Sequence, residues 1–412
     1  MKTIDQYKEM RRELDTNQLV REAKEITGLS EFGDENLVDR LDKLLDCVSR
    51  DVDFHAQGLK EFRKETLRVL VNRLRFQNDL KLHPEILDED VSDPIFMLGL
   101  PRSGTTKTLR MMGTDKNLLK TYMWQGMNPA PFPNAVPGQP DPRIAAARHG
   151  DFLFEGHDEV HAGHLFAAEE IDADINLSDL SFSERFHTMR APSPSWIEWT
   201  NSRTEPSDHE NYLYLRSLYQ YLQWQQGGRR NRRYLIRHLS SAEHLDEVIK
   251  LFPKATLVHV HRHPYSCIPS CLKLVWAMWK VRIDNVDPLF VSEFMVPWLK
   301  QVTERCIEAR DRLGLNGRII DVPYEQVRND PMPVFREIYR RAGHELTAEA
   351  EQGMLQWEDK NEQGKHGAHV YSLEQFGLSE QKLDDMFGAY IRRFFTASFP
   401  NISPAPPSPK TN

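Results

Sequence analysis

The stretch that most limits what this chain can fold into is Pro94–Thr106, PIFMLGLPRSGTT. An apolar run of strand length enters a turn with a glycine at each end. The residues that follow, KTLRMMGT, carry helical spacing. A strand that feeds a helix through such a turn aims the free N–H groups of the first helical turn at one point, which is an anion site. Ser103, Thr105 and Thr106 add hydroxyls, and Arg102 adds a planar fork of N–H donors. Gly99 and Gly104 have the spacing of a triphosphate-binding loop, G-x-x-x-x-G-K-[ST], but Thr105 stands where the lysine belongs. The loop is built for an oxyanion, not for magnesium-dependent γ-phosphoryl transfer. An ordinary capped corner is the plainer alternative, and the density of small and polar residues around an arginine weighs against it.

Further strands are expected at Arg233–Arg237 (RYLIR), Ala255–His261 (ATLVHVH) and Arg318–Val322 (RIIDV). Helical segments separate them, at Thr105–Met112, Glu210–Gln225, Ala242–Leu251 and Pro288–Leu313. This alternation predicts an α/β fold: a P-loop-like central parallel sheet flanked by helices. Residues 1–90 repeat apolar positions at three- and four-residue spacing and read as an N-terminal helical extension. The main domain is expected over 91–398, and a Pro-rich disordered tail over 399–412. The Pro-rich stretch 127–142 is long for a connector and reads as a lid or site wall.

Composition excludes several classes. A net charge of −8 argues against general nucleic-acid binding, which needs a basic face. No apolar run approaches the ~18 residues of a spanning helix, and the N-terminus lacks the apolar core of a signal peptide, so a cytoplasmic protein is expected. Cys47, Cys267, Cys271 and Cys306 do not form a disulfide framework in a chain of 412 residues; reduced thiols in or near the core are expected.

The segment GLPRSGTT resembles the 5′-phosphosulfate loop of the sulfotransferases, enzymes that use 3′-phosphoadenosine 5′-phosphosulfate (PAPS). Cytosolic members carry lysine where Arg102 stands; the arginine form is similar to the tyrosylprotein and bacterial members. The resemblance implies a second element, a strand followed by Arg-x-Pro and then a serine, which grips the 3′-phosphate. ATLVHVHRHPYSCIPSCLKL supplies Arg262, Pro264 and Ser270, with His263 in place of the usual aspartate. NEQGKHGAHVYSLEQFGL resembles a C-terminal signature of a bacterial group, which implies a role for Lys365, His366 and Gly367 near the 3′-phosphate and adenine. VPYEQVRNDP also matches a structural stretch of the family. The likeness covers roughly residues 90–395 and implies that Pro101, Arg102, Ser103, Gly104, Thr105 and Thr106 hold the 5′-phosphosulfate.

Sulfuryl transfer needs positioning, cations on the transferring group and a base for the acceptor hydroxyl, and it requires no metal. Arg102 is the expected charge stabiliser. Related members carry a glutamate about twenty residues after the loop, but TYMWQGMNP places Gln125 there, which cannot take a proton. Arg237, His238, Leu239 and Ser240 likewise stand where many relatives read Lys-Ser-Pro. A base is sought in FEGHDEVHAGHLFAAEEIDADINL, where His157, His161, His164, Glu169 and Glu170 cluster; Glu170 and His164 rank first. The three histidines lack the H-E-x-x-H order of a zinc site, so no metal is expected.

The expected function is sulfuryl transfer from PAPS to a hydroxyl of a small-molecule or lipid-like acceptor, with a homodimer as an open option. One rival is a nucleotide-binding relative without turnover. Another is a P-loop kinase, for which Asp321 is the one tempting magnesium ligand. Trp276 and Trp279, in VWAMWK, read more readily as core than as acceptor pocket.

Overall fold

The computed structural model describes residues 2–148, 154, 156–203, 205–361 and 372–396. Five strands form one parallel sheet: β1 (Ile95–Leu98), β2 (Leu118–Leu119), β3 (Arg233–Arg237), β4 (Thr256–His261) and β5 (Ile319–Pro323), in the order β2-β3-β1-β4-β5. Every residue of β1, β3 and β5 is buried, which is why they read as continuous apolar or mixed runs without alternation. Successive side chains still point to opposite faces. Phe96 and Leu98 enter one core with Leu257 and Ile319; Ile95 and Met97 enter another with Val258 and Ile320.

Helices cover both faces. The first face takes the N-terminal helices, among them Leu37–Asp51 and Ala56–Leu82, with Glu205–Gln225, Pro264–Lys280 and Pro288–Arg312. The second takes Thr105–Met112, Pro331–Ala342 and Ala348–Lys360. The apolar stripe Leu41, Leu44, Leu45 and Val48 is buried on the shared core. Polar ties reinforce this packing: Arg40 donates to the Ser181 carbonyl at 2.9 Å, and Ser193 and Ser195 each donate to Asp51 at 2.6 Å. All four cysteines are free and buried.

Three differences from the sequence reading have local causes. Strand β2 has two residues, too few to show a pattern. The helix Pro264–Lys280 contains Pro269, which interrupts a helical reading, yet the chain continues through it. The helix before β4 starts at Leu245, because Leu239–Ala242 forms a tight 3₁₀ turn. Trp279 is fully buried and donates to the Thr188 carbonyl at 2.8 Å. Trp276, partly buried, donates to the Val286 carbonyl at 2.8 Å.

The base of the Pro-rich stretch is strapped down. Arg143 donates to the carbonyls of Asn128 and Pro129 at 3.2 and 2.8 Å, Gln225 donates to Pro129 at 2.9 Å, and Arg68 donates to Met127. Residues 133–140 beyond it are exposed. The C-terminal tail and Lys365, His366 and Gly367 lie outside the described residues.

Candidate active site

The chain reaches β3 and then crosses to the other side of β1 to form β4, so the carboxyl ends of β1 and β4 lie side by side, with Leu98 opposite His259. Such a reversal of strand order opens a crevice at the strand ends. The loop after β1 and the turn after β4 meet there.

The loop is wound tightly. Arg102 has φ of +68° and Gly104 has φ of +98°, both in the left-handed region. A side chain at Gly104 would strike the Tyr324 ring at 2.2 Å, so only glycine fits against that wall. The Ser103 hydroxyl donates to the Leu100 carbonyl at 2.8 Å, so in the structure it closes the turn. Helix Thr105–Met112 begins without a side-chain cap, which leaves its first N–H groups directed into the crevice. Thr105 is buried; Pro101 and Thr106 are half-buried at the rim. From below, the buried Arg237 donates to the carbonyls of Gly99 (2.9 Å) and His238 (2.8 Å), and burial pulls its pKa down to about 10. Where relatives read Lys-Ser-Pro, this arginine braces the first residue of the loop.

Two segments far apart in sequence join across the crevice. Arg102 Nε donates to Ser270 Oγ at 3.1 Å, and Arg262 Nη1 donates to the Arg102 carbonyl at 3.1 Å. Arg262 also lies over the Tyr324 ring at 4.8 Å. His263 caps the helix that follows: its Nδ1 accepts from the Tyr265 N–H at 3.4 Å. Burial holds its pKa down against the nearby Asp384, Glu325 and Glu380, which favours the neutral ring that this cap needs.

The remaining N–H groups of Arg102 face the segment 157–174. Nη2 donates to the Gly163 carbonyl at 2.7 Å, and Nη1 lies 3.3 Å from His164 Nδ1. The other His164 nitrogen, Nε2, lies 2.6 Å from Asp172 Oδ2. Arg110 donates to the same oxygen at 3.0 Å, and the Ala173 N–H donates to Oδ1 at 2.7 Å. Burial opposes ionisation of Asp172, but His164 and Arg110 outweigh it and hold the carboxyl down to about 2.

The two candidate bases therefore part company. The Glu170 carboxylate is 42% exposed and sits 3.8 Å from Arg110. Glu169 pairs with Arg148 on the surface. His157 is exposed, and His161 and His164 are not joined into a metal-ligand group. Gln125 Oε1 accepts from the Tyr122 N–H at 3.0 Å, so this side chain caps the helix Met123–Met127. Asp172 was not singled out in sequence; its mark is an acid eight residues after a histidine, inside the crowded run EEIDADIN. Among the described residues, His259, His261 and Asp321 are the one group with metal-ligand spacing. Arg310 already occupies it: both Asp321 oxygens accept from that guanidinium at 2.7 Å, and the magnesium role weighed for Asp321 has no free oxygen pair to use.

Fold and site together define an α/β protein with one parallel sheet, whose strand-end crevice gathers arginines, hydroxyls and an uncapped helix N-terminus. A family model described as the sulfotransferase family matches residues 94–348, and the chain belongs to that family. Its fold is similar to sulfotransferase STF9 from Mycobacterium avium, with a TM-score of 0.78 at 24% identity over 92% of this chain and 96% of that one. It is also similar to sulfotransferase STF1 from Mycobacterium tuberculosis H37Rv, with a TM-score of 0.73 at 24% identity over 90% and 98%. In sequence it is similar to omega-hydroxy-beta-dihydromenaquinone-9 sulfotransferase Stf3 of Mycobacterium bovis and M. tuberculosis, 23% identical over 156 residues. That match spans 34% of this chain and 38% of the length of those curated relatives. No helix among the described residues is long and apolar enough to cross a membrane.

Proposed function

We propose that the protein transfers a sulfuryl group from PAPS to a hydroxyl of a small-molecule or lipid-like acceptor. The observation that carries this reading is the join between Arg102 and Ser270 at 3.1 Å, with Arg262 on the Arg102 carbonyl. Two guanidinium groups, a hydroxyl and an uncapped helix N-terminus converge at one crevice, and the glycines of the loop let it pack against Tyr324 and Val260 where a Cβ would clash. That donor set fits a ligand with two separate anionic groups.

In this reading Pro101 to Thr106 hold the 5′-phosphosulfate, while Arg262 and Ser270 hold the 3′-phosphate. Lys365, His366 and Gly367 join them on the family resemblance alone. Bound, PAPS supplies an activated sulfuryl group on a phosphate leaving group. Arg102 neutralises negative charge at the transferring group, a role that pre-aimed cations perform without reorganisation. His164, and not Glu170, is the proton acceptor, because it is the imidazole in contact with Arg102. The Stf3 relatives act on a hydroxylated menaquinone derivative by name, which favours long-chain alcohols in the acceptor panel.

The test is purified protein with ³⁵S-labelled PAPS and a panel of phenols, sugars and polyprenyl alcohols. Label transfer that vanishes in Arg102→Ala supports the reading. The capped Gln125 at the usual glutamate position favours one alternative, a PAPS-binding protein without turnover. It gains the field if adenosine 3′,5′-bisphosphate binds and no acceptor is ever labelled. Tight ATP binding with weak PAPS binding would instead point to a kinase.

A further inference from the structure

We infer that Asp172 is a positioning residue that fixes the His164 tautomer, and that Arg102 acts as a latch on the proton-accepting nitrogen of His164. The inference rests on the proposed sulfuryl transfer and adds a device to it.

The tautomer follows from the partners. Arg102 carries only donors, so the nitrogen facing it, His164 Nδ1 at 3.3 Å, offers its lone pair. Asp172 is ionised and carries only acceptors, so the nitrogen facing it, Nε2 at 2.6 Å, carries the hydrogen. Asp172 cannot swing away, because Arg110 and the Ala173 N–H hold its two oxygens. The backbone around the pair is pinned as well. Arg110 donates to the carbonyls of Leu165 (2.8 Å) and Ile171 (3.0 Å), Met123 N–H donates to Glu170 (2.9 Å), and Asp174 N–H donates to Arg237 (2.7 Å). The Phe166 ring lies 4.5 Å from the imidazole. A carboxylate fixed behind an imidazole orients it and stabilises the imidazolium formed when the far nitrogen takes a proton.

That far nitrogen is covered. The guanidinium of Arg102 is shared among Ser270 Oγ, the Gly163 carbonyl and His164 Nδ1, all protein acceptors of modest charge. A phosphosulfate anion in the loop competes for the same N–H groups and offers full negative charge, which makes the stronger hydrogen bonds. Drawing Arg102 toward that anion uncovers Nδ1. The acceptor hydroxyl then gives its proton to Nδ1 while its oxygen forms the new O–S bond. The S–O bond to the phosphate breaks, and its electron pair leaves with the phosphate. The same arginine thus serves the transferring group and keeps the base silent until the donor is seated.

The test uses full-length protein with ¹⁵N-labelled histidine, the His164 signals being assigned by their loss in His164→Gln. The expected spectrum shows the Nε2–H tautomer, and saturating adenosine 3′,5′-bisphosphate or PAPS shifts the Nδ1 signal. A dominant Nδ1–H tautomer overturns the positioning role. Nucleotide binding by calorimetry with no change at Nδ1 overturns the latch alone, whereas no binding at all defeats the donor reading beneath it. In turnover, Asp172→Asn lowers kcat by about 10²–10⁴ with the PAPS KM within about twofold; an unchanged kcat overturns the role. Should that variant fold poorly, the wild-type spectra decide.

Discussion

Strand β4 ends between two polar clusters made of the same residue types. Inside the sheet, Asp321 takes two bonds from Arg310 at 2.7 Å and one from His261 at 2.8 Å, and the other His261 nitrogen meets the Tyr390 hydroxyl at 2.8 Å. Just beyond the strand, Arg102, His164 and Asp172 form a similar arginine–imidazole–carboxylate set. In the inner cluster the guanidinium bonds straight to the carboxylate and every member is buried. In the outer one the imidazole stands between them, and the arginine spends its donors on a hydroxyl, a carbonyl and a ring nitrogen at the edge of solvent. Charge paired with charge in the interior is fixed; a charge held by neutral acceptors at a rim can be traded. One cluster ties the sheet together; the other is the one that, on the proposed function, answers an anion.

Substitutions break or sharpen this contrast. Arg310→Met strands a buried carboxylate and is expected to lower unfolding stability by about 3–5 kcal/mol, read by urea denaturation, with nucleotide affinity of the folded protein little changed. Arg102→Ala should do the reverse: kcat falls by about 10²–10³, while the urea midpoint moves slightly. A large stability loss in Arg102→Ala, or a large activity loss in a well-folded Arg310→Met, would erase the distinction drawn here.

Acid titration separates the two further. The Asp172 carboxyl titrates near 3.8 when unfolded and is held at about 2 when folded, despite burial, by His164 and Arg110. Its stabilising contribution is therefore full above pH ~4 and is lost as pH falls toward ~2, on the order of 2 kcal/mol. The stability gap between wild type and Asp172→Asn should close over that window. Ser270→Ala removes one charge-assisted bond and is expected to weaken adenosine 3′,5′-bisphosphate binding by about tenfold, measured by calorimetry. Glu170→Gln alters a long 3.8 Å pair with an exposed carboxylate, worth about 0–1 kcal/mol, and should leave kcat within about twofold; a loss as deep as that of His164→Gln would return Glu170 to the role of base.

The loop after β1 and the turn after β4 were legible as segments because each is local in sequence. Gly99, Arg102 and Gly104 sit within one turn and mark an oxyanion loop by their spacing, whereas Arg262, Pro264 and Ser270, at the junction of β4 with the next helix, were read through the family resemblance. Strand positions were readable for the same reason: β1, β3, β4 and β5 are dense apolar runs bounded by turns. The base side was not legible, because its geometry is made by packing. Nothing in EEIDADIN tells which acid points inward; the choice of Asp172 over Glu170 depends on Arg110, which reaches back from another helix to hold one carboxylate and two carbonyls. Asp321 looked available for the same reason in reverse, since its occupant arrives from the helix Pro288–Arg312.

The bond from Arg262 to the Arg102 carbonyl fastens the backbone of the loop proposed for the 5′-phosphosulfate with a side chain proposed for the 3′-phosphate. If PAPS is the donor, as proposed, each half of the nucleotide meets a pocket whose shape its other half helps to set. Binding energies of adenosine 3′- and 5′-monophosphates are not separable parts of the whole, and an inhibitor assembled from fragments optimised one position at a time would inherit that mismatch.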